Sequence, residues 1–465
     1  MIKSRLIRLY KTFNDKELRV FKNWVRSPVH NQHQDTIKLF NFLESRRKIT
    51  KITVQKERLF KYLYPTQKYS ETKLSYLMNN ALQLLKEFIG YYESVLSDFD
   101  VKQKLISNLL DRNMHQLASL ELEKLVDKAD LIATRNATTS LQHFEIEQRK
   151  FELIGTQNRS QQTNITNLLH HLTDFYCLSV LKFACTASSH KNVTTQDYNI
   201  RLLDAVLADA STSIHPVISM YYNIYQSLES KEHSHYFELA ETLFLAHYHL
   251  LNIQEQYEVL LLLINYCIKR LNTAEKSFVK KGFDWYNWGL KHSVLIHRNN
   301  LSRFAYLNIV GLGLKLEEFD WVAEFIPNYI QYLPIQFQGN YQHYTTAKLC
   351  FKQKNYNKAQ RLLTQIEYDD IFLNLDTKTM LLEIYYEEKS WDSLEALLVS
   401  FSRYLQRKQV IAYHKKVYQN IITLTQKIMS LPSYDKAAKN ALLAEVKTTT
   451  PLAERDWLIK QIELL

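Results

Sequence analysis

Glycine and proline are scarce in this 465-residue sequence, which contains only seven of each. All-β folds and doubly wound α/β folds need turns, bulges and close backbone approaches, and these features consume glycine. A chain of long helices joined by short polar connections has no such need. The shortage therefore predicts an all-α protein before any periodicity is considered.

The motifs that cradle a phosphate or present a catalytic nucleophile are also missing. The sequence contains no G-x-G-x-x-G, no G-x-x-x-x-G-K-[ST], no G-x-S-x-G and no H-E-x-x-H. The one close glycine pair, Gly311 and Gly313, lies inside a predicted helix, where tight helix packing is its expected role. We therefore expect a non-enzyme with no cofactor and no catalytic residue.

Cysteine and histidine spacing both argue against a metal site. One E-x-x-H occurs, from Glu232 to His235, but a di-iron bundle needs a second copy and two further glutamates. No C-x-x-C pair occurs, and the cysteines stand in apolar segments, which is typical of free thiols in a helical core. The four cysteines are Cys177, Cys185, Cys267 and Cys350.

Long apolar runs are absent as well. The longest extends from Val259 to Ile264, far short of the ~20 residues that span a bilayer. The N-terminal residues lack the apolar stretch of a secretory signal. These observations predict a cytoplasmic protein without membrane contact.

Positive charge, in contrast, is concentrated at one end. Residues 1–90 hold 19 Lys and Arg against 7 Asp and Glu, a balance of +12, whereas the whole chain carries +11. Such a segment suits a phosphate backbone or the surface of an acidic protein. The basic-patch candidates are Arg46, Arg47, Lys48, Lys51, Lys56, Arg58 and Lys61.

The basic segment is predicted to form four helices. The helix after Asn14 begins with a capping box, because Glu17 can bond back to the Asn14 backbone, and it ends before Pro28. Further helices are predicted over about 34–47, from 54 to just before 65, and from Ser70 onward. The connection to the last of these is longer than that of a helix-turn-helix and contains no glycine, so the fit to a DNA-reading motif is poor.

The remaining sequence is predicted to be helical, with a repeat near its C-terminal end. Helices are expected at about 100–111, 115–130, 137–156, 163–186 and 196–210, and then from 217 onward. Between 301 and 405 a pair of helices joined by a tight turn recurs, and the second helix of each pair begins at Phe319, Tyr356 or Trp391. The predicted domains are 1–95, 96–215 and 216–465.

The segment from Phe351 to Ala359, Phe-Lys-Gln-Lys-Asn-Tyr-Asn-Lys-Ala, resembles the middle of a tetratricopeptide repeat, whose period is ~34 residues. Lys354 replaces the usual turn glycine, and Val322 and Leu394 replace the small residue, so those two pairs should be splayed. The close resemblance covers 301–405, and the whole chain resembles uncharacterised bacterial helical-repeat proteins. It implies a right-handed superhelical solenoid of antiparallel helix pairs after a basic helical N-terminal unit, and it implies no activity.

Three functional hypotheses remain open, of which the third is an enzyme whose His and carboxylate side chains converge from helices far apart in the sequence. The leading one is a non-catalytic scaffold that binds a peptide or protein partner in a groove lined by the first helix of each pair. The excess of tyrosine over phenylalanine suits such a half-buried, half-wet surface. The alternative is a nucleic-acid-associated regulator that uses the basic N-terminal unit and binds less tightly as salt rises. The groove candidates are Tyr341, Tyr344, Lys348, Lys378 and Glu383.

Overall fold

The computed structural model describes residues 2–46, 49–50, 52–96, 98–157, 162–191, 196–230, 233–272, 275–297, 299–364, 371–407, 412–432 and 435–465. Within these ranges the chain forms 23 α-helices, packed in neighbouring pairs, and no β-strand, which confirms the all-α class. Its contacts divide it into two compact units, Met1–Tyr176 and Cys177–Leu465. The division into three domains stays a prediction.

Unit 1 contains the first eight helices and the start of α9. They are α1 (Arg5–Tyr10), α2 (Asp15–Arg26), α3 (Gln34–Glu44), α4 (Lys56–Leu63), α5 (Glu71–Leu96), α6 (Asp98–Asp111), α7 (His115–Asp130), α8 (Ala137–Gln157) and α9 (Ile165–Lys191). The sequence predicts four helices before residue 95, but the structure has five, because Arg5–Tyr10 forms an additional helix that is capped by the Ser4 side chain. The predicted end of α9 at 186 is also too early, since that helix continues to Lys191.

The N-terminal helices share one aromatic core. The predicted capping box is present, since the Glu17 N–H donates to Asn14 Oδ1 at 2.9 Å and the Asn14 N–H donates to Glu17 Oε2 at 2.7 Å. The Phe21 ring of α2 lies with its centroid 4.7 Å from that of Phe40 and 5.1 Å from that of Phe88. Edge-to-face packing of this kind adds to the area buried by each ring.

Unit 2 contains the remaining helices. They are α10 (Leu203–Ala210), α11 (Pro216–Glu229), α12 (His233–His247), α13 (Ile253–Asn272), α14 (Phe278–Lys291), α15 (Arg303–Lys315), α16 (Phe319–Tyr329), α17 (Ile335–Lys352), α18 (Tyr356–Leu363), α19 (Ile371–Glu387), α20 (Trp391–Arg407), α21 (Ala412–Met429), α22 (Lys436–Thr448) and α23 (Arg455–Leu464). The helix predicted over 196–210 begins later than expected, at Leu203. Leu202, immediately before it, has a left-handed backbone with φ 59°.

The sequence repeat corresponds to a repeated turn between paired helices. α16, α18 and α20 begin at the three predicted aromatic residues. Two positions before each start, the backbone is left-handed, with φ 60° at Lys354. The N–H of Asn355 then donates to the Cys350 carbonyl at 2.8 Å, which makes a Schellman turn. The equivalent left-handed residues of the other two pairs are Glu317 and Lys389, with φ 61° and 56°.

Replacing Lys354 by glycine is expected to stabilise the protein by about 0.5–1 kcal/mol. A side chain costs free energy in the left-handed region, and glycine does not, although it loses more entropy on folding. Urea unfolding would measure the gain. The matched control is Gln353→Gly, because Gln353 has an ordinary φ of −78° and glycine there should destabilise. Equal losses in both variants would contradict the prediction.

Gly313 explains how Val322 fits between α15 and α16. A Cβ atom added to Gly313 would lie 2.6 Å from Val322 Cγ2 and 3.3 Å from Phe283 Cε2. The splay expected at Val322 stays a prediction, because this contact shows only that a small residue stands on the first helix of the pair. The packing role expected of the glycine pair is confirmed for Gly313 and wrong for Gly311, whose added Cβ would meet nothing within 4 Å. The splay at Leu394 stays a prediction.

Two further expectations concern thiols and membranes. The four cysteines are free and buried, as expected. Burial raises the pKa of the Cys267 thiol to about 12, so it stays protonated and unreactive at neutral pH. Among the described helices, none combines the length and apolar character needed to cross a bilayer.

Candidate functional site

Three side chains join the first helices of two successive pairs in unit 2. Tyr344 and Lys348 lie one turn apart on α17, so both side chains face the neighbouring α19. The Lys348 Nζ lies 3.0 Å from Asp376 Oδ2 and 3.2 Å from the Tyr344 hydroxyl oxygen. The Tyr344 hydroxyl also donates to the same Asp376 oxygen. This three-residue network fixes the position of α17 against α19.

The ion pair is charged at neutral pH although it is partly enclosed. The side chains of Lys348 and Asp376 are 29% and 35% exposed. Burial alone would raise the pKa of Asp376, but the Lys348 ammonium and the hydrogen bonds it receives hold that pKa below its ordinary value. A pair of this exposure contributes little to stability. Its main effect is to present an oriented carboxylate, ammonium and phenol.

Glu383 lies on the same face of α19 as Asp376 but differs from it in protonation. It follows Asp376 by seven residues, which is two helical turns, so both carboxyls lie on one side of the helix. Glu383 is only 7% exposed, and within the described parts of the chain no hydrogen bond or ion pair reaches its carboxyl. Burial, together with the charges of Glu454, Glu387 and Asp376, raises the pKa of Glu383 to about 9, although Lys352 opposes this. Its carboxyl is therefore protonated at neutral pH.

The C-terminal helix closes on the far end of the same face. Glu387 Oε1 accepts hydrogen bonds from Trp457 Nε1 at 3.1 Å and from Gln461 Nε2 at 3.4 Å, both on α23. The side chain of Glu454, immediately before α23, is exposed. We call the seven side chains gathered here the polar cluster: Tyr344, Lys348, Lys352, Asp376, Glu383, Glu387 and Glu454.

The structure brings together three of the five groove candidates, namely Tyr344, Lys348 and Glu383. Tyr341 was expected on the groove, but it is 2% exposed and packs its ring 5.9 Å from that of Phe337, so it belongs to the core. Lys378 also departs from the expectation.

Lys378 follows Asp376 by two residues, which rotates it by about 200° around α19. Its Nζ lies 5.7 Å from the Tyr404 ring centroid of α20. Burial lowers the pKa of Lys378. It therefore faces the second helix of its own pair instead of the polar cluster, and its assignment to the groove is corrected.

The basic-patch candidates of unit 1 are only partly described. Arg47, Lys48 and Lys51 lie outside the described residues. Lys56 forms an ion pair with Glu71, and the guanidinium of Arg46 lies 4.3 Å from the Phe42 ring centroid. Arg58 donates to the Ile52 carbonyl at 3.4 Å, and Lys61 is exposed. Nucleic-acid binding by this segment stays a prediction.

Histidines and carboxylates do not converge on a metal site in the described ranges. No group of three or more His, Cys, Asp or Glu is placed there to hold an ion. Glu232, which begins the E-x-x-H, lies outside those ranges, whereas His235 is described. The His247 and His249 rings are 6.4 Å apart at a tilt.

Comparison with known proteins gives no match to a family model, to a curated protein or to a solved structure.

Proposed function

We propose that unit 2 is a non-catalytic scaffold that binds a peptide of a partner protein in a groove lined by α17, α19, α21 and α23. In this proposal the helix pairs wind into a right-handed superhelical solenoid of the tetratricopeptide kind. The observation that supports it is the network of Tyr344, Lys348 and Asp376, which joins the first helices of consecutive pairs. The Lys348 and Asp376 side chains retain solvent contact, whereas Tyr344 is buried beneath them.

The chemistry of this network suits an extended peptide. A peptide backbone presents a donor and an acceptor at each residue, and both need partners when they leave water. The network offers a carboxylate, an ammonium and a phenol in fixed positions, so little ordering is needed on binding. Tyr418 of α21 adds a second phenol close to this network. Burial raises the pKa of Tyr418 to about 12, and the charges of Asp376 and Lys348 also act on it.

Selection of peptides from a random displayed library, with the intact protein as bait, tests this proposal. The selected peptides should lose affinity at least about tenfold on Glu454→Lys. They should lose less than about twofold on Glu395→Lys, which makes the same charge change at an exposed glutamate of α20. Failure to select any peptide, or a response to the α20 variant alone, would contradict the proposal.

A further inference from the structure

We infer that the groove receives a basic side chain of the partner, a lysine or an arginine, and that Glu383 is the carboxyl that takes it. This inference rests on the proposed function and specifies its ligand. Three features of the polar cluster support it: the balance of charge, the burial of a carboxyl without a partner in the described chain, and the proton that this carboxyl carries.

Charge in the polar cluster is uneven. It contains the carboxyls of Asp376, Glu383, Glu387 and Glu454 but the ammonium groups of only Lys348 and Lys352. Lys348 is already paired with Asp376 at 3.0 Å. Because Glu383 is protonated, the charged carboxylates of Glu387 and Glu454 face a single lysine, so the cluster attracts an added cation and repels an acidic peptide or a phosphate backbone.

Glu383 is the member of the cluster that is largely buried without a partner in the described chain, while its carboxyl oxygens keep a small contact with solvent. A buried polar group is ordinarily hydrogen-bonded, and a buried carboxyl without a partner costs free energy. Glu383 is 7% exposed, and among the described residues it has neither an ion pair nor a hydrogen bond. The carboxyls on either side of it on α19 differ in this respect. Asp376 binds Tyr344 and Lys348, and Glu387 binds Trp457.

The charged groups around Glu383 define what happens when a cation arrives. They are Lys352 at the end of α17, Asp376 and Glu387 on its own helix, and Glu454 before α23. Without ligand, the Glu383 carboxyl holds its proton, first because it is buried and then because three of these four neighbours are acids. An incoming ammonium or guanidinium stabilises the carboxylate, so the O–H bond breaks and the proton leaves to the buffer. Binding of the cation and release of one proton are therefore coupled.

Titration calorimetry on the intact protein tests the coupling with defined probes. These are capped nonapeptides of alternating alanine with lysine, glutamine or glutamate, measured at about pH 7.5 in buffers of low and high ionisation enthalpy. The lysine peptide should bind and release about one proton, whereas the glutamate peptide should not bind. In Glu383→Gln the proton release should vanish and the affinity should fall about tenfold. The matched control Glu395→Gln, at an exposed position of α20, should leave both unchanged.

The inference and the proposed function fail in different ways. Displayed peptides that lose affinity on Glu454→Lys but contain no basic residue would overturn the inference. They would still support the proposed peptide-binding function. The inference would also be overturned if the lysine peptide bound without releasing a proton and with the same affinity to the natural chain and to Glu383→Gln. If spermine bound more tightly than the lysine peptide and released the same number of protons, the occupant of the groove would be a small polyamine instead of a peptide.

Discussion

The Glu383→Gln variant is expected to be more stable than the natural chain by about 5 kcal/mol at pH 8, with the difference vanishing near pH 4.5. The pKa of Glu383 is raised from 4.5 to about 9, first by burial and then by Glu454. Between these two values the folded state holds a proton that the unfolded state releases. Stability contributed by this group is therefore lost as the pH rises from 4.5 towards 9. Glutamine keeps the shape of the protonated acid and does not titrate.

Urea unfolding at several pH values between about 4.5 and 8.5 measures this effect. The natural chain should lose stability with rising pH more steeply than Glu383→Gln, and the two curves should meet at the acid end. Glu395→Gln controls for the loss of one surface carboxylate. Parallel curves for the natural chain and Glu383→Gln would show that the carboxyl is ionised in the folded protein, and the expected gain would then be absent.

A cost of this size gives Glu383 a property that is common at functional sites. Groups with strongly shifted pKa values cluster where binding or catalysis uses them. A Glu383 that only filled space would be replaceable by glutamine without functional loss. If the variant is more stable and also loses coupling to a basic peptide, the same carboxyl accounts for both results. The stability measurement and the calorimetric measurement therefore test one residue by independent readouts.

Local signals were enough to place the helices, but not the faces that they present. The starts of α16, α18 and α20 and the capping box at Asn14 were predicted because each depends on a few neighbouring residues. The partners of Asp376 lie 32 and 28 residues away on α17, and nothing in the local pattern of α19 distinguishes this aspartate from a solvated one. Lys378 was misassigned for the same reason.

The seven-residue interval from Asp376 to Glu383 was the one signal that could have found the polar cluster. It places two carboxyls on one face of a helix with many apolar residues, where carboxyls are expensive to bury. The sequence could not show which other helices bring Glu454 and Lys352 to that face. Glu454 is 71 residues beyond Glu383 in the numbering, and only the packing of α23 brings the two together.

The other large effect is expected at the contact between α15 and α16. Gly313→Ala should destabilise the protein by about 2–3 kcal/mol, because the new methyl would lie 2.6 Å from Val322 Cγ2 and close to the Phe283 ring. The same helix offers a matched control two residues away. Gly311→Ala adds its methyl to open space, so removing a glycine from the helix interior should stabilise by about 0.5–1 kcal/mol.

A double variant separates the contact from the backbone effect. Val322→Ala alone should destabilise, because Val322 is fully buried and its loss leaves a cavity. Combined with Gly313→Ala, it removes the Cγ2 atom that the new methyl would meet. Urea unfolding should therefore show a loss smaller than the sum of the two single losses by about 1 kcal/mol or more. Strict additivity, or a loss at Gly311 equal to that at Gly313, would show that α15 and α16 do not meet at this glycine. A combined loss smaller than the sum would show that Gly313 and Val322 are in contact. In this repeat the small residue would then stand on the first helix, whereas the tetratricopeptide pattern has it on the second.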